Sequence, residues 1–511
     1  MSACKIVVAV TVLLLPIAAS AAPAGKVIIA QGVDPTTLDM ANQSESPASN
    51  VGRHILDTLY ERDQSLKIVP NLATEMPKFV PPSAWEVKLR RGVKFHNGEE
   101  FNAESAKFTL ERLAQGQGKL RGAAFFTPLD RVEIVDPYTI RVHTKKPWPT
   151  FLPVMTFPQS GMLPPKDSAF ISKNPIGTGP YKFVRWSKDE EIVLEANDAY
   201  WRGAPNIKTV VFRPIPDDAV RVAALQNGEI DLAVNIPPHL GAIIDKHPKL
   251  FLSTAPSIRT IQLMIYSHQM DAQHKATGPY NGPTADKRVR QAIAYAIDAD
   301  EIIKTVLDGK GVRVATMLPS MHFGFDPKLQ PIKLDVAKAK KLLADAGFAN
   351  GVEITLHGPR GRYVRDAEVA EAVSGQLTKA GIKTTLRTYD FVTYLNNMVY
   401  VHKAGPVWLI GWGTGTMDAE TVYVPLFRSP GIFVNWLNED FNHMIDEAQT
   451  IMDEKKRLEQ YHRINKLWVE EMPAVPLYQQ IDLYGVAKRL NWKARSDEVL
   501  QAYSMSLKDG K

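Results

Sequence analysis

Residues 352–389, VEITLHGPRGRYVRDAEVAEAVSGQLTKAGIKTTLRTY, contain the pattern that decides the fold class. A strand is predicted over 352–357, a polar loop over 358–365, a helix over 366–380 and a second strand over 382–389. Strand, helix and strand in this order form a βαβ unit, and such units build parallel sheets. The sequence therefore predicts an α/β fold.

A third strand, predicted over 407–410, runs into the glycine-rich segment 411–418, GWGTGTMD. In parallel α/β sheets, ligands bind in the loops that follow the carboxyl ends of the strands. Two loops hold that position here, 358–365 and 411–418. We therefore expect these loops to form the ligand site.

The first loop carries three arginines and a tyrosine, Arg360, Arg362, Arg365 and Tyr363. A guanidinium group suits carboxylate or phosphate because two of its N–H groups can donate in parallel. A loop with three arginines can also be solvated surface, and both interpretations stay open. Because the loop follows a parallel strand, at least one of these arginines is a candidate to bind an anionic group.

The second loop resembles G-x-G-x-x-G only loosely, because a third glycine at the right spacing is missing, so we expect no dinucleotide site. Glycines such as Gly413 would instead let a ligand approach the backbone closely. Trp412 would form an apolar wall of the site. The alternative for Trp412 is a place in the core.

The N-terminus predicts a cleaved signal peptide over 1–21. Lys5 precedes an apolar stretch at 6–17, and Ala19-Ser20-Ala21 matches the A-x-A cleavage pattern. The stretch falls short of the ~20 residues that span a bilayer. The mature chain would begin near Ala22, in the periplasm, without Cys4 and therefore without any cysteine.

Composition and motifs exclude several function classes. The 511 residues carry a net charge of +6 without long basic runs, so we expect no nucleic-acid partner. The sequence contains no H-E-x-x-H, no G-x-S-x-G and no P-loop, and its 12 histidines lack metal-ligand spacing. We expect no metal, no cofactor and no catalysis, although catalytic carboxylates leave little local trace.

Other elements are predicted on both sides of this unit. Strands are predicted at 26–30, 85–90, 131–135 and 139–143, and helices at 51–60, 102–113, 286–298, 335–346 and about 441–452. Asp300 is predicted to cap a further short helix.

Six segments together resemble a known family. They are PNLATE (70–75), WEVKLRRGVKFHNGEEF (85–101), NPIGTGPY (174–181), DAYWRGAP (198–205), DKRVRQAIAYAIDADEII (286–303) and KAKKLLADAG (338–347). Their order and content resemble the extracytoplasmic solute-binding proteins of family 5, the peptide/opine/nickel class that serves ABC importers. The match spans almost the whole mature chain.

The resemblance implies a two-lobed periplasmic binding protein fold with the ligand cleft between the lobes. Lobe one would comprise 22–258 plus 474–511, with an extra domain at about 50–170, and lobe two would comprise 259–473. The lobes would be joined near 259–266 and 473–483.

The resemblance also implies ligand contacts. Dipeptide-binding relatives hold the ligand amine with an aspartate whose position corresponds to Gly415, whereas a later acidic position is matched by Asp418. Their carboxylate-binding arginine falls nearest Arg360 or Arg362. Glu45 and Tyr394 complete the expected ligand-binding set. Without the amine-binding acid, ordinary free peptides are in doubt, because a buried ammonium without a carboxylate is costly.

The function expected is therefore delivery of a small polar solute to an inner-membrane ABC permease. The solute would bear an anion and be peptide-like, opine-like or a sugar-phosphate conjugate. The protein would act as a monomer, by hinge closure. A secreted hydrolase with carboxylates in the cleft, or a nickel-chelate binder, is the alternative.

Overall fold

The computed structural model describes residues 22–43, 45–116, 119–167, 171–431 and 433–508. The predicted signal peptide, 1–21, lies outside the described residues.

The strands are numbered in chain order. They are β1 (Ala24–Gln31), β2 (Tyr60–Arg62), β3 (Ile68–Pro70), β4 (Lys78–Val80), β5 (Ala84–Lys88), β6 (Leu129–Asp136), β7 (Thr139–Thr144), β8 (Tyr181–Ser187), β9 (Glu191–Ala196), β10 (Ile207–Pro214), β11 (Leu232–Ala233), β12 (Leu250–Ile265), β13 (His268–Met270), β14 (Ala276–Pro279), β15 (Gly311–Val312), β16 (Val352–Arg360), β17 (Ile382–Asp390), β18 (Val407–Trp412), β19 (Ala474–Ala487), β20 (Leu490–Asn491) and β21 (Ser506–Leu507).

The α-helices are numbered in the same way. They are α1 (Ser46–Ile55), α2 (Ala103–Gln115), α3 (Phe151–Val154), α4 (Asp218–Gln226), α5 (Pro238–Lys246), α6 (Lys287–Tyr295), α7 (Ala299–Thr305), α8 (Val336–Asp345), α9 (Asp366–Lys379), α10 (Phe391–Tyr394), α11 (Glu420–Phe427), α12 (Glu439–Ala448) and α13 (Glu454–Glu471).

One continuous sheet runs through the molecule in the order β17-β16-β18-β12-β19-β11-β1-β10-β9-β8, with β15 paired to β19. We call the half around β1 and β10 lobe one, and the half around β16, β17 and β18 lobe two. The long antiparallel strands β12 and β19 belong to both halves. Their pairing shifts register between Pro256 and Thr260. The connection between the lobes therefore consists of two paired strands with an irregularity at the crossing.

Each lobe has its own core. In lobe two the core is built by apolar side chains between Ile261 and Tyr478. In lobe one a core surrounds β1 and β10. A further core lies between α2 and the four-stranded sheet β4-β5-β7-β6, around buried Phe101, Phe126 and Trp148. Separate cores allow each lobe to remain rigid while the two paired strands between them bend.

The predicted βαβ unit is confirmed. β16 pairs in parallel with β17 and with β18, and α9 lies between β16 and β17 along the chain. Gly381 follows α9 with φ +92°, in the left-handed region that favours glycine. However, β16 extends to Arg360, so the loop after it is shorter than predicted.

Two other boundaries differ from the prediction. The helix expected over 51–60 is Ser46–Ile55, because its C-terminal part turns into the segment that leads to β2. The helix expected to begin after Asp300 is capped by Asp298, whose side chain accepts from the N–H of Glu301. Asp300 instead lies in the first turn of that helix. Among the described residues, no helix is both long and apolar enough to cross a membrane.

Candidate functional site

The two predicted loops lie side by side. β16 and β18 are parallel neighbours, so the loops that follow them emerge at the same edge of the sheet. β12 runs antiparallel to β18 and places Thr260 opposite Trp412. Arg259, which precedes Thr260, therefore reaches the same edge from the strand that joins the lobes.

Asp366 holds the loop after β16 in place. Its carboxylate accepts hydrogen bonds from the backbone N–H groups of Gly361 (2.9 Å), Arg362 (2.8 Å) and Tyr363 (2.9 Å). The buried Tyr363 donates its hydroxyl to the carbonyl of Gly411 at 3.1 Å and so ties this loop to the second one. The direction of the Arg362 side chain is thus set by a rigid loop.

Arg362 is a cation without a carboxylate partner. Its guanidinium lies 5.1 Å from the ring centroid of Tyr363 and 5.3 Å from that of Phe391. Within the described part of the chain, this side chain forms no hydrogen bond and no ion pair. Burial and the neighbouring Arg259 cation lower the pKa of Arg362, and Glu498 and Glu45 act in the opposite direction. A desolvated, incompletely neutralised guanidinium is a binding group for an anion.

Arg259, by contrast, is already neutralised. Its terminal N–H groups donate to both carboxylate oxygens of Glu498, at 3.1 and 2.9 Å. The Ser257 hydroxyl donates to the same carboxylate at 2.6 Å. Sequence analysis did not select Arg259 or Glu498 as site residues. The available signal was one arginine within the apolar strand β12, but its partner lies 239 residues away.

The other two arginines of the loop have different surroundings. Arg360 is exposed at the end of β16. Arg365 adopts a left-handed conformation (φ 53°) before α9 and pairs with Glu368 at 3.1 Å. Of the three predicted arginines, Arg362 is therefore the one that lies against Arg259 and the acids of lobe one.

Trp412 and Gly413 have packing partners in lobe two and in β12. The Trp412 indole donates to the carbonyl of Thr421 at 3.1 Å and packs edge-on against Phe433. A Cβ on Gly413 would come within 3.0 Å of the Arg259 Cα and of the Ile258 carbonyl oxygen. Glycine at 413 thus allows the close approach of β12, whereas we had expected it to allow the approach of a ligand.

Asp418 and Tyr394 have partners inside lobe two. The Asp418 carboxylate forms two hydrogen bonds with Arg457, at 2.7 and 2.8 Å, and both side chains are about 5% exposed. Tyr394 is fully buried and donates to the carbonyl of Leu409 at 2.8 Å. The structure therefore gives both predicted ligand contacts a role in the interior of lobe two.

We expect Arg457→Met to lower the free energy of unfolding by about 3–5 kcal/mol, because Asp418 would remain buried without its partner. Urea denaturation followed by circular dichroism measures this loss. The matched control is Arg428→Met, whose partner Asp446 is 43% exposed, and there the loss should not exceed about 1 kcal/mol. Equal losses in the two variants would contradict the role assigned to Asp418.

Lobe one faces Arg362 with acidic groups. Glu45 accepts from the N–H of Thr36 at 2.6 Å, and its charge acts on both Arg362 and Tyr400. Tyr400 packs against Phe433, so an aromatic surface of lobe two lies opposite Glu45. Glu45 of lobe one thus lies near enough to Arg362 of lobe two for their charges to interact across the junction of the lobes.

The lobes touch each other directly. From lobe one, Arg62 donates to the carbonyls of Gly415 (3.0 Å) and Thr416 (2.6 Å) in the second loop. Thr150 donates to Glu420 at 3.1 Å. The structure thus has the two lobes in contact across the cleft.

One buried carboxyl group lies where β19 crosses between the lobes. Asp482 accepts from the side-chain amide of Gln480 at 2.7 Å. Burial and the nearby Glu498 charge raise the pKa of Asp482 to about 7.

Among the described residues, no group of three or more metal-ligating side chains could hold a metal ion.

Comparison with known proteins decides the family. The family model of bacterial extracellular solute-binding proteins, family 5, matches residues 67–433, well over half of the chain. The chain belongs to this family. Its members serve ABC importers, so this chain is a solute-binding component of such a system.

Relatives and solved structures agree with this assignment. The glutathione-binding protein GsiB of Pectobacterium atrosepticum is 29% identical over 423 residues, 81% of this chain and 79% of that protein. The periplasmic binding protein DppA of Helicobacter pylori, solved with the peptide STSA, has a TM-score of 0.82 at 24% identity, covering 94% of this chain and 98% of that one. AgaA of A. tumefaciens R10, solved with agropinic acid, has a TM-score of 0.80 at 24% identity, covering 95% and 99%.

These similarities confirm the predicted family and the two-lobed α/β fold. The family and these relatives are binding proteins.

Proposed function

We propose that this family 5 protein acts in the periplasm and binds a small peptide-like or opine-like solute that carries a carboxylate or another anion. Arg362 contacts that anion, and the inner-membrane ABC permease receives the solute. The mature chain begins near Ala22, acts as a monomer and performs no chemistry on the solute.

The observation that carries this proposal is the unpaired Arg362 guanidinium, which lies against two aromatic rings and near Glu45 and Glu498. Its neighbour Arg259 is neutralised by Glu498, so an anion at the cleft would pair with Arg362. Such a site repels a positively charged nickel chelate, which makes an organic anion the better candidate. Relatives named for glutathione binding and a fold neighbour solved with agropinic acid both support a ligand that bears carboxylates.

The proposed movement is closure of lobe one (22–258 plus 474–511, with the extra domain at about 50–170) onto lobe two (259–473). The register shift of β12 between Pro256 and Thr260 supports a hinge at this crossing. A solute shifts the balance toward the closed form only by its higher affinity for that form. An anion that pairs with Arg362 and reaches lobe one across the cleft supplies that difference.

We expect small-angle scattering to show a smaller radius of gyration with saturating glutathione than without it. The protein is first freed of retained solute by unfolding and refolding, and calorimetry establishes binding. Native mass spectrometry before this treatment identifies any solute that co-purifies, and that solute is the second probe. Binding of either solute with an unchanged scattering profile would contradict hinge closure, and co-purification of a cationic solute would contradict the anion site.

A further inference from the structure

A cavity borders the glycine-rich loop at Gly415. It lies where the end of α1, β2 and the C-terminal segment meet that loop. Its charged lining includes Arg53, Arg62, Arg495, Asp497 and Glu61, and Gly415 is its contribution from lobe two. The cavity therefore lies at the junction of the lobes.

The acidic groups of this cavity are already occupied. Arg495 donates to both oxygens of Asp497, at 2.9 and 2.7 Å. Glu61 pairs with Arg202 at 2.6 Å. Each of these two carboxylates is therefore already neutralised by an arginine of the chain.

A third acid, Asp57, is also occupied. It accepts from the hydroxyls of Thr178 (3.0 Å) and Tyr200 (3.1 Å) and from the indole of Trp201 (3.0 Å). Each of these donors comes from the chain itself. Asp57 therefore helps to hold lobe one together, and its hydrogen bonds are made without a solute.

Two cations of the cavity have no carboxylate partner among the residues that the structure describes. Arg62 donates to three carbonyls, those of Leu66, Gly415 and Thr416. Arg53 makes one hydrogen bond, to the carbonyl of Thr156 at 3.2 Å. A guanidinium group has five N–H groups to donate, so Arg53 retains donors for a ligand. Burial lowers the pKa of Arg53 to about 10; the nearby Asp497 and Glu61 charges act against this shift, and the Arg495 and Arg62 cations add to it.

The second loop offers nothing to an ammonium group at this end. Gly415 has no side chain, and its carbonyl already accepts from Arg62, as does the carbonyl of Thr416. An ammonium would meet acids already neutralised by arginines and the unpaired guanidinium groups of Arg53 and Arg62, whereas an anion would meet the free donors of Arg53.

We infer that this cavity binds a second anionic group of the solute, a carboxylate or a phosphate, with Arg53 as its contact. The inference rests on the proposed function. It narrows the solute class to molecules with two separated anionic groups and no ammonium group at the Gly415 end.

The test titrates the protein with inorganic phosphate in one arm and with acetate in the other, at constant ionic strength. The melting temperature of the protein is measured at each anion concentration. The background variant Arg362→Met removes the first anion site, so that the remaining response reports the cavity. In this background we expect stabilisation by at least one of the two anions. Adding Arg53→Gln should raise the apparent Kd for that anion by about 10- to 100-fold, because a charge-assisted contact is lost. The arm that responds identifies the preferred anion.

A second variant keeps Arg53 and changes the opposite wall. Gly415→Asp should abolish the response in the same background, whereas the uncharged Gly415→Asn should keep it. The control for the loss of a distant cation is Arg185→Gln, because Arg185 is exposed on β8.

Three results would overturn the inference: no response to either anion in Arg362→Met, an undiminished response after Arg53→Gln, or equal responses in the two Gly415 variants. The proposed function has a separate readout: its assignment of Arg362 fails if Arg362→Met binds glutathione and the co-purified solute as tightly as the parent.

Discussion

Arg362→Met will weaken glutathione binding by roughly 30- to 3,000-fold. Loss of one partner of a buried, hydrogen-bonded charge pair costs about 2–5 kcal/mol, and each 1.4 kcal/mol changes affinity tenfold. Isothermal calorimetry of the solute-free protein measures the change, with the co-purified solute as a second ligand. The melting temperature without solute should stay close to that of the parent, because the partly buried guanidinium has no hydrogen-bond or ion-pair partner in the described structure.

The neighbouring arginines provide matched controls for this prediction. Arg360 is exposed and Arg365 is paired with Glu368, so Arg360→Met and Arg365→Met should bind as the parent does. If all three variants bind alike, the loop is solvated surface, and the anion site falls. If Arg360→Met or Arg365→Met is the weak one, the anion site stands but Arg362 is not its contact.

Gly415→Asp will give the protein affinity for a dipeptide with a free amino terminus. A Cβ at Gly415 would meet only the ring of Phe157, at 3.4 Å, which is ordinary contact, so the side chain fits without a shift of the backbone. The introduced carboxylate would border the cavity that Gly415 lines and provide an acceptor for an ammonium group. A hydrogen bond between charged groups is worth about 1.5–3 kcal/mol, so Ala-Ala should bind roughly 10- to 100-fold more tightly than to the parent.

The isosteric variant Gly415→Asn isolates the effect of charge. It fills the same space but does not attract an ammonium group, so its affinity for Ala-Ala should match that of the parent. Calorimetry with Ala-Ala and with the N-acetylated dipeptide, which has no charged amine, completes the comparison. A gain shared by Gly415→Asn, or by the acetylated ligand, would show that charge at 415 does not select the solute.

Local sequence patterns predicted the parts of the fold that depend on near neighbours. The βαβ unit around α9 follows from periodicity and from Gly381, and the N-terminal cap of α2 by Asn102 follows from its side chain reaching the backbone two and three residues on. The resemblance to family 5 added the two-lobed arrangement, since several scaffold segments occur together in order.

The loops of the site were found from sequence, but the partners of their side chains were not. Arg360, Arg362 and Arg365 look alike in sequence, and only the folded loop leaves Arg362 unpaired against two aromatic rings. Asp418 was expected to contact the ligand because it matches an acidic position of the related proteins, yet its partner Arg457 is 39 residues away on α13. Whether a charged side chain is free depends on which distant residue reaches it.

The sequence by itself determined the fold class, the family and the two loops at the edge of the sheet, because these depend on local periodicity, turn residues and recurring segments. The tertiary structure alone decided which charges are neutralised. The pair between Arg259 and Glu498, the crossing of β12 with β19 and the contact of Arg62 with the Gly415 loop each join residues more than 200 positions apart. Such contacts form only when the whole chain folds, because electrostatic and hydrogen-bond energies depend on distances in space and leave no trace in local spacing.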